Sequence, residues 1–330
     1  MGETHPRKNM PLVSIITPSY NQAAFLEETI QSVLNQDYPE IEYILIDGKS
    51  TDGSLEIIQK YASNFAYWVS EPDMGQADAI NKGFSHARGE FIAWLNSDDF
   101  YLKGAVSRAV SALQANPESG MVYGDAVTID AQGHSLSELR FGEYGLLDLM
   151  GFRIICQPAV FFRRSALEMA GGLDASYHFL LDHHLWLRLA QQSPIHHIPA
   201  ILAAARHHPG AKNVAQAAAF GQEAFRILAW MQSQPELAPL LCAHRRRIEA
   251  GAYRLQARYL LDAGLPGSAL RSYAHAFWHS PVFTLGHWHR IIYALLSLLG
   301  GRGLATLYYR MKKSPPATST GSGNPHANPE

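Results

Sequence analysis

The sequence predicts an α/β fold: a mostly parallel sheet with helices on both faces, followed by a helical region. Three observations carry this. Short β-branched runs alternate with helix-spaced segments over residues 11–125, the pattern of repeated strand–helix–strand units. Three of the runs end in polar clusters, and open sheets of this kind bind ligands beyond the carboxyl ends of their strands. From about residue 215 only helical spacing is left.

The elements follow in order. "LVSIITPSY" is a buried strand ending near Pro18, and Leu26, Ile30, Val33 and Leu34 then fall on one helix face. "IEYILID" is the second strand. "STDGSLEIIQKY" opens on Ser, Thr and Asp, which suit a helix cap. "AYWVSE" is a third strand, "GQADAINKGFSHA" a helix and "EFIAWLN" a fourth strand. "KGAVSRAVSALQANP" is a helix that Pro117 stops. "MVYGDAVTIDAQGH" reads as a hairpin closed by Gln-Gly, "CQPAVFFRR" as a strand, and "HFLLDHHLWLRLAQQ" as a helix with Asp182 near its start. The stretch "AYRLQARYLLDAGLPGSALRSYAHAFWHSP" has the spacing of a helical hairpin broken at Gly264–Gly267. One such unit does not make a solenoid, so it reads as a helical appendage.

This divides the chain into a flexible N-terminus (1–10), an α/β domain (11–213, changing character near 125), a helical appendage (214–312) and a disordered Pro/Ser/Gly-rich tail (313–330). The bulk numbers agree. The 330 residues suit about two domains. A net charge of −2 argues against bulk nucleic-acid binding, which needs a basic face. Cys156 and Cys242 have no CxxC partner, which predicts reduced thiols in a cytoplasmic protein. "MGETHPRKNM" lacks the apolar core of a secretory signal. "IIYALLSLLGG" is about half the length a membrane span needs. With Arg302, Tyr308, Tyr309, Arg310, Lys312 and Lys313 beyond it, it reads either as a packed helix or as peripheral membrane contact at the inner face.

The polar strand ends are Thr17-Pro18-Ser19-Tyr20, Asp47-Gly48 and Asn96-Ser97-Asp98-Asp99, and they should converge on one crevice. Adjacent carboxylates repel. After a buried strand, Asp98 and Asp99 suit a divalent cation that takes one or two carboxylates and leaves its other positions to phosphate and water. The competing reading is a helix cap, which needs only one side-chain oxygen.

"VSIITPSYNQAAFLEETIQSVLNQDYPEIEYILIDGKSTDGS" resembles the opening of the family 2 glycosyltransferases, which have the GT-A fold. "EPDMGQADAINKGFSHARGEFIAWLNSDD" continues that resemblance. "QPAVFFRRSALEMAGGLDASYHFLLDHHLWLRLA" resembles the family's acceptor half, and "ARHHPGAKN" its closing segment. Each motif is weak alone; four in order over residues 11–213 are specific. The resemblance implies an inverting transferase that moves a sugar from a UDP- or GDP-linked donor to a hydroxyl of a saccharide or lipid-linked acceptor, with Mn²⁺ or Mg²⁺ as cofactor. It makes residues 11–125 the nucleotide-sugar half and 126–213 the acceptor half.

The implied roles follow residue by residue. Ser97-Asp98-Asp99 stands where the family has Asp-x-Asp, with Ser97 in place of the first Asp. That makes Asp99 the preferred direct metal ligand, with Asp98 on the metal through water or on the donor's ribose or sugar. Asp47 is expected at the nucleobase, though Gly48 replaces the second Asp of many members. Thr17, Pro18, Ser19 and Tyr20 line the base pocket, and Tyr20 stacks on the base or is a core aromatic. Asp73, Gln76, Asn81 and Asn96 are donor-contact candidates. Ile80 stands where many members have an Arg, and Lys82 is a candidate to bind the phosphate or base in that Arg's stead. Gln157 contacts donor or acceptor, Arg206 the diphosphate, and His208 the metal. Asp182 is the candidate catalytic base, with Leu181 in place of the family's Glu. His183 and His184 either pair with it or are surface histidines. The alternatives are a nucleotidyltransferase of the same fold, whose Gly-rich signature "TPSYNQ" lacks, and a non-catalytic sugar-nucleotide or scaffold protein. An oxidoreductase is disfavoured because no GxGxxG follows the first strand.

Overall fold

A computed structural model describes residues 10–208, 210, 211, 216–298 and 303. Most of the expected N-terminal segment, the 213/214 boundary, the tail and the aromatic and basic residues from Arg302 to Lys313 lie outside the described residues.

The first half is the expected alternation: β1 (Val13–Ser19), α1 (Ala23–Leu34), β2 (Ile41–Asp47), α2 (Ser54–Lys60), β3 (Tyr67–Ser70), α3 (Gln76–His86) and β4 (Phe91–Trp94). β3, β2, β1 and β4 lie side by side and parallel. Then come β5 (Phe100–Tyr101), α4 (Ala105–Ala115), β6 (Met121–Ile129), β7 (Ser135–Leu139), α5 (Leu146–Met150), β8 (Val160–Arg163), α6 (Arg164–Ala170), α7 (Leu181–Gln192) and β9 (Ile195–Arg206). β8 enters antiparallel to β4 and to β6, and β9 runs parallel to β6 and antiparallel to β5. The sheet is therefore more mixed than the expected mostly parallel one. The parallel order ends at β4, where β8 enters antiparallel between β4 and β6. The Gln-Gly hairpin between β6 and β7 forms as read, with Gly133 at φ +86°.

Period-two alternation sends neighbouring residues to opposite faces. Ile16, Ile44, Ile80, Ile92 and Trp94 pack on one face, and Val13, Ile15, Leu45, Ala93 and Val106 on the other. On the first face α3 lies so close to β1 that a Cβ at Gly83 would come within 2.3 Å of Ile16.

The C-terminal helices are α8 (Ala217–Ser233), α9 (Leu237–Ala243), α10 (Arg245–Asp262), α11 (Pro266–His279), α12 (Pro281–Leu285) and α13 (Trp288–Leu298). Their Ala224, Ile227, Met231, Ile248 and Leu255 share one apolar cluster with Trp94 and Trp186 of the α/β part. A Cβ at Gly251 of α10 would meet the Gly151 carbonyl oxygen at 2.2 Å, so helix and loop touch backbone to backbone. No helix among the described residues is long and apolar enough to cross a membrane.

Candidate functional site

β4 pairs with β1 only from Val13 to Ile16. Beyond that point Pro18 has no N–H to offer a neighbour, and the two strands part. The segments Thr17–Tyr20 and Asn96–Asp99 therefore face a shared opening, with the end of β2 alongside.

On the β1–β2 side, Thr17, Pro18 and Ser19 are buried, and the Thr17 hydroxyl lies 3.0 Å from that of Tyr43. Tyr20 is 63% exposed, a free aromatic face rather than a core residue. Asp47 is fully buried. Its oxygens accept hydrogen bonds from the Ser50 hydroxyl at 2.5 Å, the Ser50 N–H at 3.0 Å and the Ser70 hydroxyl at 2.6 Å. Gly48 explains its own departure from the family pattern. A Cβ there would stand 2.6 Å from the Asp73 carboxylate and 3.2 Å from the Tyr20 ring. The bare α-carbon lets Asp73 and Tyr20 close over the end of β2. Asp73 also accepts from the Gly75 N–H at 2.8 Å, where φ is +109°.

Gln76, Asn96 and Gln157 form one hydrogen-bonded chain. The Gln76 amide donates to Asn96 at 2.8 Å, Asn96 donates to Gln157 at 3.0 Å, and Gln157 donates to the Trp94 carbonyl at 2.8 Å. Three polar side chains from separate elements thus brace the floor of the opening.

Three expected donor contacts have other partners. Asn81 grips the backbone of Leu173 from both sides, at 2.9 Å each. Lys82 lies 3.1 Å from Glu71 and 3.5 Å from Asp78, and donates to the Pro72 carbonyl. Arg206 is 4% exposed. Its guanidinium donates to the carbonyls of Asp98, Asp130 and Ala131 and to Glu28, and lies 4.8 Å from the Phe25 ring centre. Such saturation suits Arg206 to clamp the 98–99 turn.

The acidic pair divides sharply. Asp99 is 6% exposed and accepts from the Arg206 backbone N–H at 2.9 Å. Burial, then the neighbouring Asp98 charge, pushes its pKa well up. Its carbonyl accepts from the Thr29 hydroxyl at 2.7 Å. Asp98 instead points its carboxylate at His208, with Oδ2 and Nε2 3.1 Å apart. Asp99, the expected direct ligand, is thus the more buried of the pair, with Oδ1 on the Arg206 N–H and Oδ2 3.4 Å from the Asn96 amide. Asp98 and His208 bring a carboxylate and an imidazole together, a donor pair that would suit a divalent cation such as Mn²⁺. Among the described residues no three His, Cys, Asp or Glu side chains converge as a complete cage.

Asp182 is the second residue of α7. Its Oδ1 accepts from the His183 N–H at 2.7 Å. Burial, opposed by this bond and reinforced by the Glu223 charge, raises its pKa to about 6. One turn further on, Trp186 stacks on Trp94 at 5.1 Å, which ties the helix of Asp182 to the strand that leads into Asn96–Asp99. The Cys156 thiol, next to Gln157, is pushed up by burial and feels the charges of both Asp99 and Asp182. His183 and His184 are neither surface residues nor partners of the carboxylate through their rings. His183 bonds the Leu149 carbonyl at 3.0 Å, and His184 packs between Tyr177 and Trp230. Burial lowers both, to about 4 and about 3, so they are neutral at pH 7.

The sequence reading missed Glu223. It is buried in α8 and accepts backbone N–H bonds from His178 at 2.6 Å and from Phe179 and Leu180 at 2.8 Å. It satisfies the entry to α7, whose own N-cap residue, Leu180, has no side-chain acceptor. The signal was present: Glu223 stands on the apolar stripe of Phe220, Ala224 and Ile227.

Comparisons with known proteins point the same way. The family described as glycosyl transferase family 2 matches residues 14–170. An uncharacterized glycosyltransferase of Mycobacterium tuberculosis is 35% identical over 187 residues, covering 54% of this chain and 69% of the relative. Chondroitin synthase of Escherichia coli is 28% identical over 60% of this chain, which spans only 29% of that enzyme. Among solved structures, S. aureus TarS with UDP-GlcNAc superposes with a TM-score of 0.62 at 17% identity, covering 91% of this chain and 92% of that one. Mannosyltransferase PcManGT from Pyrobaculum calidifontis, with GDP-Man and Mn²⁺, gives 0.60 at 21%, covering 92% and 86%. These two likenesses establish the GT-A fold. Sequence match and fold agree, and the chain belongs to glycosyl transferase family 2: it is a glycosyltransferase.

Proposed function

We propose that the enzyme moves a sugar, with inversion, from a UDP- or GDP-linked donor onto a hydroxyl of a saccharide or lipid-linked acceptor, in the synthesis of a surface polysaccharide or glycolipid. The observation that carries this reading is the placement of Asp182, a half-buried carboxyl raised to about 6 and joined through the Trp94–Trp186 stack to the strand that leads into the acidic pair. The solved TarS and PcManGT hold UDP-GlcNAc and GDP-Man, and chondroitin synthase is by its name a polysaccharide enzyme.

In this reading Tyr20 stacks on the base, above Thr17–Ser19 and Asp47, while Asp73 closes the pocket beside it. Asp98 and His208 would hold the divalent cation, which would supply positive charge to offset that of the leaving diphosphate. Asp99 and Arg206 hold the turn that aims Asp98. Asn96, Ser97, Gln76 and Gln157 border the donor sugar. Asp182 takes the proton of the acceptor hydroxyl as its oxygen bonds to the anomeric carbon, and the bond from that carbon to the diphosphate breaks on the opposite side. A base poised near 6 is ionised at neutral pH and remains basic enough to accept the proton. The site of action is cytoplasmic, at the inner membrane face where the acceptor is lipid-linked. Trp278 and Val282, 87% and 86% exposed, support such a contact.

The test is a panel of UDP- and GDP-sugars read by nucleotide release, with and without EDTA. Release from one donor, suppressed by EDTA and restored by Mn²⁺, is the expected result. No release from any donor, with no thermal stabilisation by UDP or GDP, would overturn it.

A further inference from the structure

Next to the α5–β8 loop the C-terminal helices gather an unusual surplus of positive charge. Arg254 and Arg258 stand one turn apart on α10, and Arg290 approaches from α13. Arg254 donates one bond, to the Phe152 carbonyl at 2.6 Å, and its Nε is buried without a partner. The Nε of Arg258 is likewise buried and unpartnered, and its nearest carboxylate, Asp262, is 3.9 Å away. Arg290 shares the same Asp262 at 3.4 Å. The Tyr273 hydroxyl is also buried without a partner. Asp262 is the last acidic residue in the sequence before Glu330. Arg258 and Arg290 thus share one carboxylate, and Arg254 stands beside them with their charges acting on it.

Buried charge is stable only when paired. The surplus registers on its neighbours. Burial and the Arg258 charge bring Arg254 down to about 10, and burial with Arg254 and its companions brings His287 down to about 4. A second anion would relieve this. The cluster also borders the reaction centre. Arg254 holds Phe152, and the same loop continues to Cys156 and Gln157. The charges of Arg258 and Asp182 both reach the Cys156 thiol and the Tyr259 hydroxyl.

We propose that Arg254, Arg258 and Arg290, with the Tyr273 hydroxyl, bind a phosphate ester or diphosphate carried by the acceptor, on the Asp182 side of the crevice. Guanidinium forks match phosphate oxygens in pairs, and Arg258, 40% exposed at its side chain, is the accessible member. The assignment of this anion to the acceptor rests on the transferase reading. The anion site itself does not, and it is tested without donor.

The full-length chain is titrated with inorganic phosphate by calorimetry, in EDTA and at constant ionic strength. Saturable binding is expected, weakened at least about tenfold in Arg258→Gln and Arg290→Gln and tightened in Asp262→Asn, which removes the competing carboxylate. Calorimetry with UDP and Mn²⁺ should give both arginine variants wild-type affinity, which also shows that they are folded. Glycerol 3-phosphate and citronellyl phosphate separate the sources. Tighter binding of the first indicates a phosphate-bearing polymer, tighter binding of the second a lipid-linked phosphate, and equal binding that the phosphate alone is recognised. Phosphate binding that is absent, or equal in wild type and variants, overturns the site. Binding of inorganic phosphate but of neither ester overturns its acceptor role. Failure of UDP and Mn²⁺ to bind the wild type would instead strike the donor reading and leave this site standing.

Discussion

Replacing Glu223 by Gln tests whether the C-terminal helices set the geometry and basicity of the reaction centre. The carboxylate accepts three backbone N–H bonds, one on Oε1 from His178 and two on Oε2 from Phe179 and Leu180. Gln has a single acceptor oxygen. Turned toward Phe179 and Leu180, it sets its NH₂ against the His178 N–H. A stranded buried donor costs about 1–3 kcal/mol, and two bonds also lose their charge assistance, so a loss of about 2–4 kcal/mol is expected. Urea denaturation followed by tryptophan fluorescence measures it. The substitution also removes one of the charges that hold the Asp182 pKa up. The acidic limb of turnover should therefore move to lower pH. Burial, the larger cause, persists, and Cys156 and Tyr259, which feel the Asp182 charge, are neutral at that pH, so the limb stays above the ordinary carboxylate range. Stability within about 0.5 kcal/mol of wild type, or an unmoved limb, would refute the reasoning.

Three further outcomes follow. Asp182→Asn should leave UDP and Mn²⁺ affinity intact and lower turnover by about 10²–10⁴-fold, the usual size of a general-base contribution; wild-type turnover would remove Asp182 from the mechanism. Wild-type turnover should rise with pH around 6 as Asp182 ionises, while stability changes the opposite way. The raised carboxyl favours folding below its unfolded value, and that contribution is lost as pH climbs through about 6, so thermal melts of Asp182→Asn should gain on wild type across this range. Asp98→Asn should weaken Mn²⁺-dependent UDP binding without lowering the melting temperature; Asp99→Asn, which alters a buried acceptor of the Arg206 N–H, should lower the melting temperature. The opposite assignment of these two effects would restore Asp99 as the direct ligand.

Much of this was legible in the chain because it rests on local pattern. Period-two and period-3.6 spacing located β1 to β4 and their helices, and polar residues at strand ends marked the opening. β5 and β9 went unread, since a two-residue strand has no pattern and "IHHIPAILAAAR" breaks its alternation with Pro199 and small residues. Partners were harder still. Nothing adjacent in the sequence says that Asn81 grips Leu173 or that Arg206 lies beneath Asp98.

By itself, then, the sequence determined the order of elements, the family and the set of polar residues that meet at the strand ends, because all three depend on residue type and spacing. The tertiary structure decided what each of those residues is available for. The fold covered Asp99 and left Asp98 beside His208, 110 residues along the chain. It also made a glutamate in a C-terminal helix the support of the α7 entry next to Asp182, and set two arginines on a single carboxylate with a third beside them. Availability depends on solvent access and on hydrogen-bond partners far apart in sequence, and only the folded chain brings those together.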